Sequence, residues 1–178
     1  MVPKPSDAKH DKGMSKQKHH CKSYHDLVSQ LISEKNLDRL EGCMMSRFNI
    51  ALLTIEIENF YSLAGLYSED IGFRLLELLK GESLNNFDKY FQNCKIVFAE
   101  NTKINQIIFC FLLSDRDVSN LMNNAFSYRL GICARLSKML PEVADQHLDV
   151  RVGLSQLLRE PGRDIDKTLF RAFCEAQQ

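Results

Sequence analysis

The stretch Asn49–Tyr67, NIALLTIEIENFYSLAGLY, decides the fold. It begins with an apolar run that is rich in β-branched residues and too short for a helix, which predicts a buried strand. Glu56 and Glu58 lie at the end of this run, two residues apart and therefore on one face of the strand. The chain then turns at Asn59 and Phe60 into residues with helical spacing.

The position of these two acids indicates a chemistry. In α/β folds, phosphates and metals are held at the carboxyl end of a strand that leads into a helix. Mg²⁺ prefers oxygen ligands, so Glu56 and Glu58 form a candidate Mg-nucleotide site. The spacing by itself fits two solvated acids at a strand end at least as well, and this alternative stays open.

Composition and charge describe a compact body with a basic extension. The chain has 178 residues, of which 44% are hydrophobic, enough for one domain with a substantial core and an appendage. The formal net charge is zero, but residues 1–22 contain six Lys and two Asp, so they carry +4 and residues 23–178 carry −4. Binding of nucleic acid needs a basic surface, and we therefore expect no nucleic-acid partner for the body.

The cysteines and the hydropathy pattern favour a cytoplasmic protein. The six Cys show no C-x-x-C pairing, and several lie in apolar runs, as Cys110 does in IIFCFLL. This pattern is typical of reduced thiols in the core of a cytosolic protein. No apolar run reaches transmembrane length and no signal peptide is visible, so we expect no membrane span.

Residues 1–22 are predicted to form a disordered basic tail, because they are polar, contain Pro and Gly, and lack periodicity. His19, His20, Cys21 and His25 are residue types that bind a soft metal. A flexible arm without a metal is the favoured interpretation.

Residues 23–45 are predicted to form an amphipathic helix ahead of the main domain. Ser23 with Asp26 resembles a capping box, apolar residues follow at three- and four-residue spacing, and Gly42 is a plausible C-terminal stop. Such a helix either packs on the body or pairs with a copy of itself.

The remaining patterns predict an α+β domain. After the first strand we expect a helix from Phe60, a break at Ser68–Asp70, a helix that ends near Gly81, a short helical segment Leu84–Phe91, strands Lys95–Ala99 and Gln106–Leu113, a helix Asp117–Leu140, a strand His147–Leu154, a break at Pro161 and Gly162, and a helix Asp164–Ala176. The polar segment Glu100–Asn105 predicts an antiparallel hairpin between the two central strands. A central hairpin argues against a parallel Rossmann sheet and for a palm-like sheet.

Over the first strand, the helices that follow it and the C-terminal strand and helix, the chain resembles a diguanylate cyclase (GGDEF) domain. That family typically has a hydrophobic strand, then D-x-D-x-F-K-x-I-N-D, then a G-H-x-x-G-D-x-x-L helix. The run from Ile50 to Leu79 matches it in place or in kind at Glu56, Glu58, Phe60, Leu63, Gly72 and Leu76. The segment RVGLS resembles the family's S-I-G-I-A strand, with Gly153 aligned, and DIDKTLFRAF is similar to its A-D-x-A-L-Y-x-A-K helix through Asp166, Leu169, Phe170 and Ala172. The resemblance covers about Ser46–Phe173.

The resemblance implies an α+β fold with a palm-like mixed sheet of about five strands, flanked by helices, over residues 46–178, with an extra N-terminal helix. It also implies the chemistry of diguanylate cyclases, in which two domains meet face to face and join two GTP into cyclic di-GMP with Mg²⁺. By resemblance, Glu56 and Glu58 stand at the positions of the metal-binding acids.

Most of the other positions depart from the family pattern. By resemblance, Tyr61 replaces the family's Lys and Ala64 replaces its Asn. Phe73 replaces its guanine-reading Asp, and Phe173 replaces its phosphate-binding Lys. The signature turn becomes Lys103-Ile104-Asn105-Gln106-Ile107, with neither paired glycines nor an acid, and no R-x-x-D precedes it. Because these positions have become apolar or neutral, we expect a nucleotide cleft that has been filled with packing side chains.

The absence of the family's charged, polar and glycine residues predicts a domain without cyclase activity. Removal of one well-placed electrostatic group costs about two to three decades in rate, and here several are missing together. The favoured hypothesis is a catalytically inactive GGDEF-like domain without cofactor. It would serve as a regulatory or protein-interaction module in bacterial cyclic di-GMP signalling, as a homodimer, on a protein partner, or within a longer multidomain chain. The alternatives are a residual GTP/Mg-binding domain or weak cyclase that uses Glu56 and Glu58, and an unrelated α+β fold.

Overall fold

The computed structural model describes residues 27–28, 30–45, 49–113, 117–141, 147–157 and 165–176. The predictions for the tail 1–22 with its His and Cys residues, for the capping box and for the break at Pro161 and Gly162 lie outside these residues. Within them, the elements are α1 Glu34–Met45, β1 Asn49–Ile57, α2 Phe60–Leu66, α3 Glu69–Tyr90, β2 Lys95–Lys103, β3 Gln106–Leu113, a 3₁₀ turn Val118–Asn120, α4 Leu121–Met139, β4 Val150–Leu157 and α5 Ile165–Ala176.

The four described strands form one sheet in the order β2-β3-β1-β4, and each neighbouring pair is antiparallel. The β2–β3 hairpin and the α+β palm-like architecture are thereby confirmed. The predicted end of the first hairpin strand at Ala99 is wrong, because β2 continues to Lys103 and only Ile104 and Asn105 form the turn. The expectations of about five strands and of a mixed sheet are replaced by four strands with antiparallel pairing. Both expectations came from the resemblance, whereas only four runs of the sequence have strand patterns, and these runs are the strands.

Helices cover both faces of the sheet. On β1, the odd-numbered apolar side chains pack with α2, α3 and α4, and the even-numbered ones, Ile50 and Leu52, pack with α1 and α5. This arrangement explains why the apolar run of β1 is continuous rather than alternating, since a strand buried on both faces has no solvent side. β1 is therefore the centre of the molecule, and its carboxyl end is the edge at which Glu56 and Glu58 emerge.

Helix α3 continues through Gly81 to Tyr90, so the predicted end near Gly81 is wrong. A glycine inside a helix costs about 1 kcal/mol relative to alanine. Beyond it, Phe87 is fully buried and stacks on Phe91 and Phe109 at centroid distances of 4.7 and 5.2 Å. Burial of one such ring contributes about 1.5–3 kcal/mol, which exceeds the glycine penalty.

The N-terminal helix is also shorter than predicted, because the chain turns at Gln30 and Leu31 and α1 begins at Glu34 and continues past Gly42. Its start is fixed by Glu100 of β2, whose Oε2 accepts hydrogen bonds from the Ser33 backbone N–H at 3.0 Å and from the Asn36 side-chain amide at 2.8 Å. Of the two expected arrangements, the helix therefore adopts the first and packs on the body.

Strand β4 begins at Val150 rather than His147. The preceding segment is held by Asn59, whose side-chain amide donates to the His147 carbonyl at 2.6 Å and whose Oδ1 accepts from the Asp149 N–H at 3.1 Å. These side-chain hydrogen bonds hold residues 147–149, of which the Asp149 carbonyl also accepts a hydrogen bond from the Glu58 N–H. In the part of the chain that the structure describes, no helix is long and apolar enough to cross a membrane.

Candidate functional site

Glu56 and Glu58 meet at the end of β1 and share one cationic partner, Arg151 of β4. Glu56 and Arg151 are directly opposite in the β1–β4 register. The Arg151 Nη2 atom is 3.2 Å from Glu56 Oε2, and its Nη1 atom is 2.7 Å from Glu58 Oε1. A single guanidinium therefore bridges the two carboxylates that the sequence predicts as metal-binding acids.

Two side chains of the predicted signature turn complete the surroundings of Glu56. Asn105 donates to Glu56 Oε1 at 3.3 Å and to the Ile57 carbonyl at 2.9 Å, and Gln106 donates to Glu56 Oε2 at 2.7 Å. Gln106 is oriented in turn by the Thr102 hydroxyl, which donates to its Oε1 at 2.6 Å. The Glu56 side chain is only 13% exposed, so these donors replace most of its water.

This arrangement does not fit a Mg²⁺ site. The partners of Glu56 are all hydrogen-bond donors, whereas a metal site needs several oxygen atoms directed at one point. Arg151 already supplies the positive charge that the two carboxylates require, and its guanidinium stays protonated at any ordinary pH. Among the described residues, no group of three or more His, Cys, Asp or Glu could hold a metal ion.

Arg151 belongs to this candidate site but is absent from the residues that the sequence predicts for it. The available signal was its position in RVGLS, because alignment of Gly153 places Arg151 at the Ser of the family's S-I-G-I-A pattern. The change from a neutral residue to a cation was visible there, but its partners were not. Only the β1–β4 register places Arg151 beside Glu56.

A cleft of about 430 Å³ lies between α3 and the β2–β3 hairpin. Phe73 and Lys80 lie on its helix side, and Lys103, Ile104 and Ile107 lie on its hairpin side. The structure thus brings the predicted guanine-reading position and most of the signature turn to one open depression.

For Tyr61 and Phe73, the expectation that aromatic side chains fill the nucleotide cleft is wrong. Phe73 is 64% exposed and Tyr61 is 68% exposed, so neither ring belongs to the core. The reason is helical geometry: on α3 the core-facing residues include Gly72 and Leu75, and Phe73 is turned away from both. Tyr61 likewise follows Phe60, which takes the buried position on α2.

The two remaining predicted positions have different surroundings. Ala64 is half-buried on α2 and packs against α3 at Gly72, where an added Cβ would lie 3.3 Å from the Ala64 Cβ. The close contact between α2 and α3 thus depends on a small residue at each of these positions. Phe173 lies within α5, and its side chain is outside the described part.

Neither a family model nor a curated protein matches the sequence. Similarity is found among solved structures. The GGDEF domain of DgcB from Caulobacter crescentus, solved in complex with c-di-GMP, matches with a TM-score of 0.54 and 12% identity over 85% of this chain and 80% of that chain. The active GGEEF domain of a diguanylate cyclase from Vibrio cholerae matches with a TM-score of 0.52 and 17% identity over 80% and 81%.

The guanylyl cyclase Cya2 matches more weakly, with a TM-score of 0.51 and 11% identity over 72% of this chain and 69% of that chain. At such low identities the similarity concerns the fold and not the chemistry. The chain thus has the fold of a GGDEF domain, and the alternative of an unrelated α+β fold is excluded. The palm-like architecture that the sequence resemblance implied is present, with four antiparallel strands among the described residues instead of a mixed sheet of about five.

Proposed function

We propose that the protein is a catalytically inactive GGDEF-like domain that serves as a regulatory or protein-interaction module in bacterial cyclic di-GMP signalling. The fold supports the association with this signalling system. The single observation that supports inactivity is the bridge from Arg151 to Glu56 and Glu58.

The argument is electrostatic. Cyclases of this kind transfer a phosphoryl group, and Mg²⁺ neutralises the charge that develops on the phosphate during transfer. Here the carboxylates that would hold the metal are already neutralised by a guanidinium at 2.7 and 3.2 Å. Entry of Mg²⁺ would require breaking both ion pairs and also the hydrogen bonds from Asn105 and Gln106.

The direct test is an assay of the purified chain with GTP and either Mg²⁺ or Mn²⁺, with product detection by mass spectrometry. We expect no cyclic di-GMP above the level of a protein-free control. Product that forms with the natural chain and is lost in Glu56→Ala would contradict inactivity, because it would show that the carboxylate still participates in the reaction.

The regulatory part of the proposal needs a separate measurement. The chain is added to a diguanylate cyclase and to a phosphodiesterase from the same cells, and cyclic di-GMP turnover and complex formation are followed together. We expect a stable complex with one of these enzymes and a changed rate. Unchanged rates without complex formation would contradict a regulatory role on either enzyme.

The open cleft favours a second candidate, residual binding of GTP without catalysis. Lys80 and Lys103 lie on its opposite sides, and the exposed Phe73 ring offers a face for stacking on a base. Calorimetry with GTP, with and without Mg²⁺, tests this candidate, with Lys103→Ala as the matched variant. Absence of heat at millimolar nucleotide would eliminate it.

A further inference from the structure

The two edge strands of the sheet differ in how well they are protected against pairing with a strand of another chain. Edge strands expose unpaired backbone groups, and proteins usually blunt them with charges, proline, bulges or a covering segment. Strand β2 follows this rule: it contains Lys95, Glu100 and Lys103, its pairing with β3 is irregular at two places, and Glu100 holds the segment that leads into α1.

Strand β4 forms the opposite edge and lacks these protections. Its eight residues contain neither lysine nor proline, and their register with β1 is unbroken. Its one charged residue is Arg151, which is engaged with Glu56 and Glu58. Among the described residues, no strand pairs with the outer side of β4.

The outward-facing backbone groups of β4 follow from one hydrogen bond. The Glu58 N–H donates to the Asp149 carbonyl at 2.9 Å, so the odd-numbered residues of this segment bond to β1. The N–H and C=O groups of the even-numbered residues therefore point away from the sheet. The Val150 carbonyl accepts a hydrogen bond from Arg129 Nε of α4, whereas the groups of Val152, Leu154 and Gln156 face outward. They form a regular row of donors and acceptors.

An apolar row lies beside this edge on α4. Met122, Phe126 and Leu130 recur at four-residue spacing and are 70%, 58% and 51% exposed. A groove of about 420 Å³ runs between this helix and β4, with Met122 and Phe126 on one side and Val152 and Leu154 on the other. Single exposed apolar residues are ordinary, but a continuous row beside an open strand edge marks an interaction surface.

We propose that β4 and the apolar row of α4 form a dimer interface, in which β4 pairs antiparallel with β4 of a second copy. A twofold axis perpendicular to the sheet relates the copies and joins the two sheets into one. The same axis places α4 of one copy beside α4 of the other, on the same face.

The height of α4 above the sheet favours a second copy over an isolated peptide strand. An added strand lies about 4.8 Å from β4 in the plane of the sheet, whereas α4 packs on one face of the sheet and therefore lies out of that plane. A lone strand would satisfy the backbone of β4 but would leave much of Met122 and Phe126 in water. A second copy brings its own α4 at the required height.

Charge and symmetry are compatible with self-association. A twofold interface must be complementary to itself, which an antiparallel pair of identical strands satisfies. The charged residues around the groove are of mixed sign, namely Glu58, Asp149, Glu175, Arg129 and Arg151. Because the acids and the arginines nearly balance, two copies of this surface do not oppose each other with one strong charge.

Analytical ultracentrifugation of the full chain over a concentration series tests the proposal, and we expect a reversible dimer. Phe126→Lys places a charge in the apolar row, and Gln156→Pro removes one outward N–H while leaving the β1 ladder intact. Each variant should weaken the dimer by at least about tenfold in Kd, equivalent to about 1.4 kcal/mol. Leu66→Lys on α2 is the matched control, since Leu66 is exposed to a similar degree at 67%.

Circular dichroism and thermal unfolding verify that each variant is folded, and Met122→Lys replaces Gln156→Pro if the proline variant unfolds. A natural chain that is monomeric at every concentration overturns the proposal. A dimer that is insensitive to the α4 and β4 changes, or one that Leu66→Lys weakens equally, also overturns it, because the contact must then lie on another face.

Discussion

At the scale of single residues, the guanidinium of Arg151 determines what the two acids of β1 can do. Glu58 remains 39% exposed, but Glu56 is mostly buried and depends on donors from three residues for its charge. A carboxylate in such surroundings is stabilised only while its donors remain in place. The cation and the acids therefore act as one unit.

Arg151→Ser should destabilise the fold and allow Mn²⁺ to bind to Glu56 and Glu58. Loss of the cation leaves a mostly buried carboxylate with weaker partners, and we expect a decrease of about 1–3 kcal/mol in the free energy of unfolding. Mn²⁺ should raise the thermal midpoint of this variant and leave that of the natural chain unchanged. Arg151→Lys retains a cation and serves as the control. An equal response of the natural chain to Mn²⁺ would show that Arg151 does not occupy the acids.

A second residue-scale prediction concerns Gly153, where a Cβ would overlap the Ala176 carbonyl oxygen and lie 2.7 Å from the Thr54 hydroxyl. Gly153→Ala must displace the end of α5 from the sheet, with an expected loss of about 1–3 kcal/mol. Gly81→Ala is the matched control, because nothing lies within 4 Å of its Cβ position and alanine favours the helix by about 1 kcal/mol. Urea unfolding of both variants measures the difference, and a shift of the same sign in both would contradict this explanation.

At the scale of elements, α1 is positioned by one side chain from a distant strand. Glu100 accepts hydrogen bonds from the Ser33 backbone and hydroxyl and from Asn36, at the N-terminus of the helix. An acid at this end also interacts favourably with the helix dipole. On the other side of α1, Leu37 and Leu40 are buried against the sheet.

Glu100→Gln should therefore loosen α1 without affecting the rest of the fold. The charge-assisted hydrogen bonds become neutral ones, with an expected loss of about 1 kcal/mol. Hydrogen exchange should accelerate in Glu34–Met45 and stay unchanged in α3. Asp88→Asn on α3 removes an exposed carboxylate and serves as the control. Equal exchange rates in α1 of both variants would mean that Glu100 does not hold the helix.

At the scale of the whole molecule, one sheet lies between two helical layers, and ionisable groups are enclosed with the core. Tyr128 is fully buried and donates to the Ser83 carbonyl at 2.7 Å. Burial raises the pKa of Tyr128 and of Cys110 well above their ordinary ranges. Burial, together with the charge of Asp117, raises the pKa of Cys94 to about 11.

These shifts predict that stability falls at alkaline pH. In the unfolded chain, thiols lose their protons at about pH 8.5 and tyrosine at about pH 10, as unperturbed groups do. In the folded chain, Cys94, Cys110 and Tyr128 keep their protons at these pH values. The folded state then binds more protons than the unfolded state. The contribution of these groups to the free energy of unfolding is therefore complete below their pKa in the unfolded chain, and it is lost as the pH rises toward their pKa in the folded chain. Urea unfolding under reducing conditions measures this trend, and Cys110→Ala should flatten it. Constant stability over this range would contradict the prediction.

The sequence by itself determined that four strands exist, that the two central ones form a hairpin and that the chain resembles GGDEF domains, but not where β2 ends or where β4 begins. The apolar runs of β1 and β3 are local signals, because the spacing of buried side chains in a strand can be recognised from consecutive residues of the sequence. For the same reason Glu56 and Glu58 could be located from the sequence, whereas the hairpin turn was predicted only within Glu100–Asn105 and the structure narrows it to Ile104 and Asn105.

Only the tertiary structure decided the state of the candidate site. The partner of Glu56 is Arg151, 95 residues later in the chain, and a cross-strand register brings them together. The exposure of Phe73 and the passage of α3 through Gly81 depend on which helix face meets the sheet and on which rings pack beyond the glycine. Local patterns determine which residues form an element, but long-range packing determines which side chains meet, since contacts between distant residues leave no periodic signal in the sequence.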